Sequence, residues 1–304
     1  MKRPLLALPA VLLASAAALS GCGSDDSAKG ASSSSRIDVV ASTDVYGNIA
    51  EQVGGARVDV TAVLTNPDQD PHSFEANPRT TLAISKADLL IENGGGYDDY
   101  MDTLRKAHNP SAPVINAVDL SGKSAPSGGE LNEHVFYDFP TIQKVADEIA
   151  AKLGAADPVH ASDYTKRAAA FDDEVGKLID RESVLRPELQ GRSIGITEPV
   201  PLYLTEALGL VNATPAKFSE AVEEGDDVAP QVLQDTLNLC TDKTVSALVY
   251  NEQTSGPITE KVESAAKSAG IPVVGVTETL PSGTTYLTWM SGNLEAVATA
   301  LGAR

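Results

Sequence analysis

The sequence predicts an α/β protein of two lobes, each with a mostly parallel sheet flanked by helices, joined by one long linker helix. Three observations carry this. Apolar runs of strand length alternate with helical segments over residues 37–118. The same rhythm returns over 192–276, and strands alternating with helices of this length build parallel sheets. Between the two stretches the apolar residues switch to helical spacing.

The first half opens on the strand-length run 37–41. A second run, 57–64, carries Val58, Val60 and Val63 in partial alternation, and 88–91 and 113–118 supply a third and a fourth. Asn77 before Pro78 is an N-cap with proline at the first helical position, opening a short helix that contains Leu82 and Ile84. Another helix covers 98–106, after a turn made by Gly94, Gly95 and Gly96. In the second half 192–197, 245–250 and 271–276 are the strand runs, with a weaker one near 210–213, and 200–208 and 257–269 read as helices. No repeat aligns the halves residue by residue.

In the middle, Ile142, Val145, Ala146, Ile149, Ala150 and Leu153 follow helical spacing. Asp157-Pro158 opens a second helix, on which Tyr164, Ala168, Phe171, Val175 and Leu178 form one apolar stripe. A stiff helix between lobes predicts a smaller hinge motion than loose strands would allow. The expected organisation is a signal peptide (1–21), a lipidated flexible tether (22–36), an N-terminal lobe (37–158), a linker helix (159–184) and a C-terminal lobe (185–304).

The first segment is an address. Lys2 and Arg3 precede an apolar stretch to residue 19, and Leu19-Ser20-Gly21-Cys22 follows. A basic start, an apolar stretch and small residues before a cleavage point make a secretory signal. A cysteine directly after Leu-Ser-Gly resembles the bacterial lipobox, in which that thiol is acylated. Cys22 is therefore the expected lipid attachment, placing the protein on the extracytoplasmic face of a bacterial cell membrane. Residues 23–36, rich in Ser, Gly and Asp, read as a tether. No later apolar run approaches the ~20 residues that span a bilayer.

Composition narrows the function. The formal charge of −19, from 23 Lys+Arg against 42 Asp+Glu, argues against nucleic acid and anionic membrane surfaces as partners and favours cations. Two cysteines exclude a disulfide scaffold and a cysteine zinc site. With Cys22 acylated, Cys240 stands alone beside Leu237 and Leu239 as a small buried hydrophobe. Gly191-Arg192-Ser193-Ile194-Gly195 matches the nucleophile-elbow pattern, but its strand follows the serine instead of preceding it, so the match is rejected.

Four residues can meet in one place. His72 lies in the loop after the second strand run and His134 in the loop after the fourth. Glu198 directly follows the run 192–197, and Glu278 comes two residues after 271–276. All four leave carboxyl ends of strands, where open α/β sheets bind ligands. Two neutral imidazoles and two carboxylates suit a divalent first-row metal ion and neutralise its charge. His108 reads as a cation at a helix end, and His160 as an exposed residue opening the linker helix.

Asn66-Pro67-Asp68-Gln69-Asp70-Pro71-His72-Ser73-Phe74-Glu75 resembles the Asp-Pro-His motif of the solute-binding lipoproteins of zinc and manganese ABC importers. His134-Val135-Phe136-Tyr137-Asp138 resembles that family's second histidine motif, residues 42–50 its opening strand and helix, and residues 286–294 its last helix. The resemblance implies a metal-type periplasmic-binding fold with His72, His134, Glu198 and Glu278 as ligands, a membrane permease and its ATPase as partners, and a monomer. Many zinc-type members have histidine where Glu198 stands, and the usual fourth ligand is aspartate, not Glu278. Residues 119–133 contain none of the histidines of a zinc-type loop. This set resembles the manganese type, so the expected cargo is Mn²⁺ ahead of Zn²⁺, with Fe²⁺ third. The expected function is capture and delivery without catalysis. Free imidazole values predict weaker binding below about pH 6. The alternatives are a surface-adhesion lipoprotein of the same fold and, behind it, a metallohydrolase, which would need an open coordination position.

Overall fold

Two four-stranded parallel sheets frame the chain in a computed structural model that describes residues 36–66, 74–127 and 129–304. The signal segment, Cys22, most of the tether and His72 lie outside the described residues. In the first sheet β1 (Ile37–Thr43) pairs with β2 (Val58–Leu64) and β3 (Leu89–Glu92), and β4 (Val114–Asn116) pairs with β3. The second sheet comprises β5 (Ser193–Ile196), β6 (Val211–Asn212), β7 (Leu248–Asn251) and β8 (Val273–Val276). The orders are β2-β1-β3-β4 and β6-β5-β7-β8, one topology used twice. β3 and β7 are buried along their whole length, which is why they read as continuous apolar runs. In each sheet the chain reverses direction of travel between its first and third strands, so β1/β3 and β5/β7 are the crevices where such sheets receive ligands.

The helices of the first half are α1 (Asp44–Gly54), α2 (Pro78–Lys86), α3 (Tyr100–His108), α4 (Ala117–Ser121) and α5 (Phe139–Ala156). Asn77 caps α2, its Oδ1 accepting from Arg79 N and Thr80 N at 2.9 and 3.2 Å. The run 113–118 divides into β4 and α4 because Asn116 caps the helix, accepting from Asp119 N at 2.9 Å.

The long helix α6 (Ala161–Leu189) begins after a 3-10 turn at Pro158–His160 and runs beyond residue 184. Pro187 sits in its last turn, and the buried Leu185 and Leu189 hold that turn in place. His160 is not an exposed residue: it is partly buried, with Nδ1 2.7 Å from Asp157 Oδ2. Beyond it come α7 (Leu202–Ala207), α8 (Ala216–Glu223), α9 (Pro230–Thr241), α10 (Pro257–Ala269) and α11 (Tyr286–Ala300).

One apolar core passes through both halves and includes Ile49, Val145, Phe171, Leu185, Ile196 and Trp289. Polar ties reinforce it. Tyr137 Oη donates to Thr277 O at 2.7 Å, Tyr286 Oη to Phe136 O at 2.9 Å, and Tyr286 N to Asn48 Oδ1 at 2.9 Å. The first two tie the segment after His134 to the segment around Glu278, and the third ties the start of α11 to α1.

Candidate metal centre

The second half presents two buried carboxylates. Glu198 lies two residues beyond β5 and Glu278 two beyond β8; they are 1% and 0% exposed. Asn251, the last residue of β7, bridges them: its Nδ2 donates to Glu198 Oε2 and, at 2.9 Å, to Glu278 Oε1. The Asn251 backbone N–H donates to Thr197 Oγ1 at 2.9 Å, fixing the amide in the β5/β7 crevice. The Thr254 hydroxyl donates to Glu198 Oε1. Gln253 Oε1 accepts the backbone N–H groups of Glu278 and Thr279. The turn after β7 is thus a polar bracket for both acids. Burial pushes the Glu198 carboxyl up to about 8, against the hydrogen bond from Asn251 and with repulsion from Glu278 adding to it. Near neutral pH Glu198 therefore keeps a proton that a dication could replace.

The first half presents His134, fully buried between α4 and α5, immediately before a 3-10 turn at Val135–Tyr137. The rings of Tyr97 and Phe136 meet it edge-on, with centroids 5.8 and 5.7 Å away. Asn93, next after β3, donates to Glu133 O at 2.9 Å and so holds the His134 segment at the end of the first sheet. His134 Nδ1 lies 2.8 Å from Asn132 Oδ1, an atom that can only accept, so Nδ1 carries the hydrogen and Nε2 is turned to the acids. Nε2 is 3.3 Å from Glu278 Oε2 and 3.5 Å from Glu223 Oε1. Burial lowers the imidazole's proton affinity, but the hydrogen bond and charge of Glu278, with Glu223 and Glu133, outweigh it and raise the value overall.

Three of the four expected ligands, His134, Glu198 and Glu278, therefore converge, while His72 lies outside the described residues. His108 is the last residue of α3, and Cys240 is a buried free thiol. Sequence reasoning missed Asn251, Gln253, Thr254, Asn132 and Glu223. Asn251 had a signal: it terminates the apolar run 245–250, so it sits at the same sheet edge as Glu198. Glu223 had none, because its place depends on how α8 packs. Glu133, His134 and Glu223 each offer a donor atom within 4.8 Å of the others.

Two parallel sheets of one topology, with an imidazole from one and carboxylates from the other closing on a buried point, define a two-lobed solute-binding protein with the donor set of a metal site. The family described as "Zinc-uptake complex component A periplasmic" (ZnuA) matches residues 39–300, and the chain belongs to that family. Its members are solute-binding components of ABC importers and not enzymes. The chain is 26% identical over 270 residues to the manganese-binding lipoprotein MntA of Bacillus subtilis (strain 168), covering 86% of each. Among solved structures it is similar to the periplasmic zinc-binding protein TroA of Treponema pallidum, with a TM-score of 0.74 and 18% identity, covering 88% of this chain and 100% of that one. It also matches a mutant of the laminin-binding adhesin Lmb of Streptococcus agalactiae, with a TM-score of 0.74 and 23% identity, covering 87% and 99%. At these identities the two structures show the fold.

Proposed function

We propose that the chain captures one divalent transition-metal ion outside the cytoplasm and delivers it to the permease of an ABC importer powered by a cytoplasmic ATPase. The observation that carries this is the convergence of His134 Nε2 with the Glu198–Asn251–Glu278 bridge in a fully buried place. A buried pair of carboxylates next to an imidazole is costly without a cation, and a dication repays that cost by replacing protons. His134 and His72 would hold the ion from the first lobe, and Glu198 and Glu278 from the second. Asn132 keeps His134 in the tautomer that binds through Nε2, and Asn251 keeps the two acids aimed at one point. The oxygen-rich set, together with the likeness to MntA, a manganese-binding lipoprotein by name, favours Mn²⁺ over Zn²⁺, with Fe²⁺ third.

Acylation of Cys22 would anchor the protein through the tether of residues 22–36. Lobes of residues 37–158 and 185–304 would move little about the helix between them, and the protein would act as a monomer. Among the described residues no helix is long and apolar enough to cross a membrane.

The test is radiolabelled Mn²⁺ uptake by cells lacking the chromosomal copy and carrying either the wild-type or the His134→Ala chain. Uptake restored by the wild type and not by the variant is expected. Equal restoration by both would overturn His134 as part of the site, and restoration by neither would overturn metal capture and favour surface adhesion.

A further inference from the structure

A cleft of about 880 Å³ opens beside the buried donors, walled by both halves through residues such as Gly95 and Tyr203. Its described lining includes six glutamates, among them Glu133, Glu220 and Glu223, and one lysine, Lys123, whose Nζ is 3.0 Å from Asp138 Oδ1. At the floor of this cleft stands Glu223. Its side chain is 9% exposed, and its Oε1 lies 3.5 Å from His134 Nε2, the nitrogen that also faces Glu278.

Two features make that placement costly for an ion-free protein. Glu223 is the last residue of α8, where the helix dipole is negative and an acid is disfavoured. Its carboxylate also offers a donor atom within 4.8 Å of donor atoms of Glu133 and His134, so two acids meet beside one imidazole. A dication at the point between them makes both favourable. The buried Phe218 anchors α8 and so fixes where its C-terminus lies.

We propose that Glu223 is a further ligand of the ion, supplying a third carboxylate to the set, and that it biases the site toward Mn²⁺. This rests on the reading that His134, Glu198 and Glu278 hold a metal ion. Carboxylate oxygens suit Mn²⁺, which takes a larger oxygen-rich shell, whereas Zn²⁺ is content with four donors and gains less from another.

The experiment titrates chelator-stripped protein with Mn²⁺ and, separately, Zn²⁺, for the wild type, Glu223→Gln, Glu223→Asp and Glu224→Gln. Glu224 is the adjacent exposed acid in the same cleft and controls for lost charge. Glu223→Gln is expected to weaken Mn²⁺ by about tenfold or more and Zn²⁺ by less than about threefold. Glu223→Asp keeps the charge but withdraws the oxygen, and it should lose Mn²⁺ affinity as well. Glu224→Gln should leave both affinities near wild type. Co²⁺ bound to Glu223→Gln should show an altered visible absorption, as expected when a donor leaves the ion. Unchanged Mn²⁺ affinity in Glu223→Gln, or equal losses for both metals matching Glu224→Gln, would overturn the proposal while leaving the metal site standing. A wild-type chain that binds neither ion would instead overturn the metal-capture reading itself.

Discussion

The two sheets share one strand order, yet their carboxyl ends solve opposite electrostatic problems. The first end carries an imidazole, which can be neutral, and surrounds it with the aromatic edges of Tyr97 and Phe136 and a single amide oxygen from Asn132. The second end carries two carboxylates and surrounds them with donors: the Asn251 amide and the Thr254 hydroxyl. Burying an unpaired carboxylate costs several kcal/mol, while a hydrogen bond returns about 0.5–1.5 kcal/mol net. The difference teaches that a repeated topology fixes where ligands emerge, and the polarity of the neighbouring turn fixes which ligand can be kept there.

The largest expected effects come from removing one donor on either side. His134→Ala and Glu278→Gln should each weaken Mn²⁺ binding by more than about 100-fold, beyond the usual cost of losing an outer hydrogen-bond partner. Isothermal titration would check this, and a large loss on one side with none on the other would break the comparison.

Next come the two asparagines that aim the donors. Asn251→Ala removes the bridge between the acids, and Asn132→Ala releases the His134 tautomer; each should cost about 10–100-fold in affinity. If Asn251→Ala matters and Asn132→Ala does not, packing alone orients the imidazole and the symmetry of the account is lost.

The third effect is pH. Glu198, held up to about 8 by burial, is protonated at neutrality in the ion-free protein, and binding must displace that proton. Affinity should therefore rise as pH climbs from 6 to 8, with protons released into the buffer. Calorimetry in buffers of different ionisation enthalpy would count them. A flat profile over this range would show that the second half holds its acids ionised without a cation.

The smallest effect concerns an acid that no ion reaches. Glu182 lies buried on α6, and burial, with repulsion from Asp138, raises its carboxyl to about 8 from an ordinary 4.5. The fold tolerates its protonated form. Its contribution is therefore intact at low pH and is lost as pH rises from near the ordinary value toward 8. Glu182→Gln should stabilise the protein at pH 8 by on the order of 1 kcal/mol, or about 2–4 °C in Tm, and by little at pH 4.5. Thermal melts at the two pH values would check it.

The central strands β3 and β7 were legible because they are buried along their whole length, so apolar runs mark them whatever their partners, while the half-exposed β6 left only a weak run. His134, Glu198 and Glu278 were legible because strand ends can be located once the runs are, and the sheet brings those ends to one edge. The β4/α4 boundary was not, since Val118 is apolar whether it belongs to a strand or to the helix that Asn116 caps. The long helix runs past the expected 184 because the apolar stripe that marked it stops at Leu178, while the buried Leu185 and Leu189 keep the last turns helical. Glu182 breaks the polar-out pattern of that helix for the same reason: tertiary packing, absent from a one-dimensional pattern, decides it. The pH window expected from the structure lies above the 6 of free imidazole because burial raises the Glu198 carboxyl to about 8, and Glu223 escaped notice because nothing local ties α8 to His134.

The central claim is that both halves are needed to hold a single ion. The direct measurement is the metal content, by mass spectrometry, of chelator-stripped wild type, His134→Ala and Glu278→Gln after exposure to equal Mn²⁺ and removal of free ion. The account predicts a single ion per wild-type chain and its loss from both variants. Full occupancy in either variant would place the ion in one half alone and contradict it.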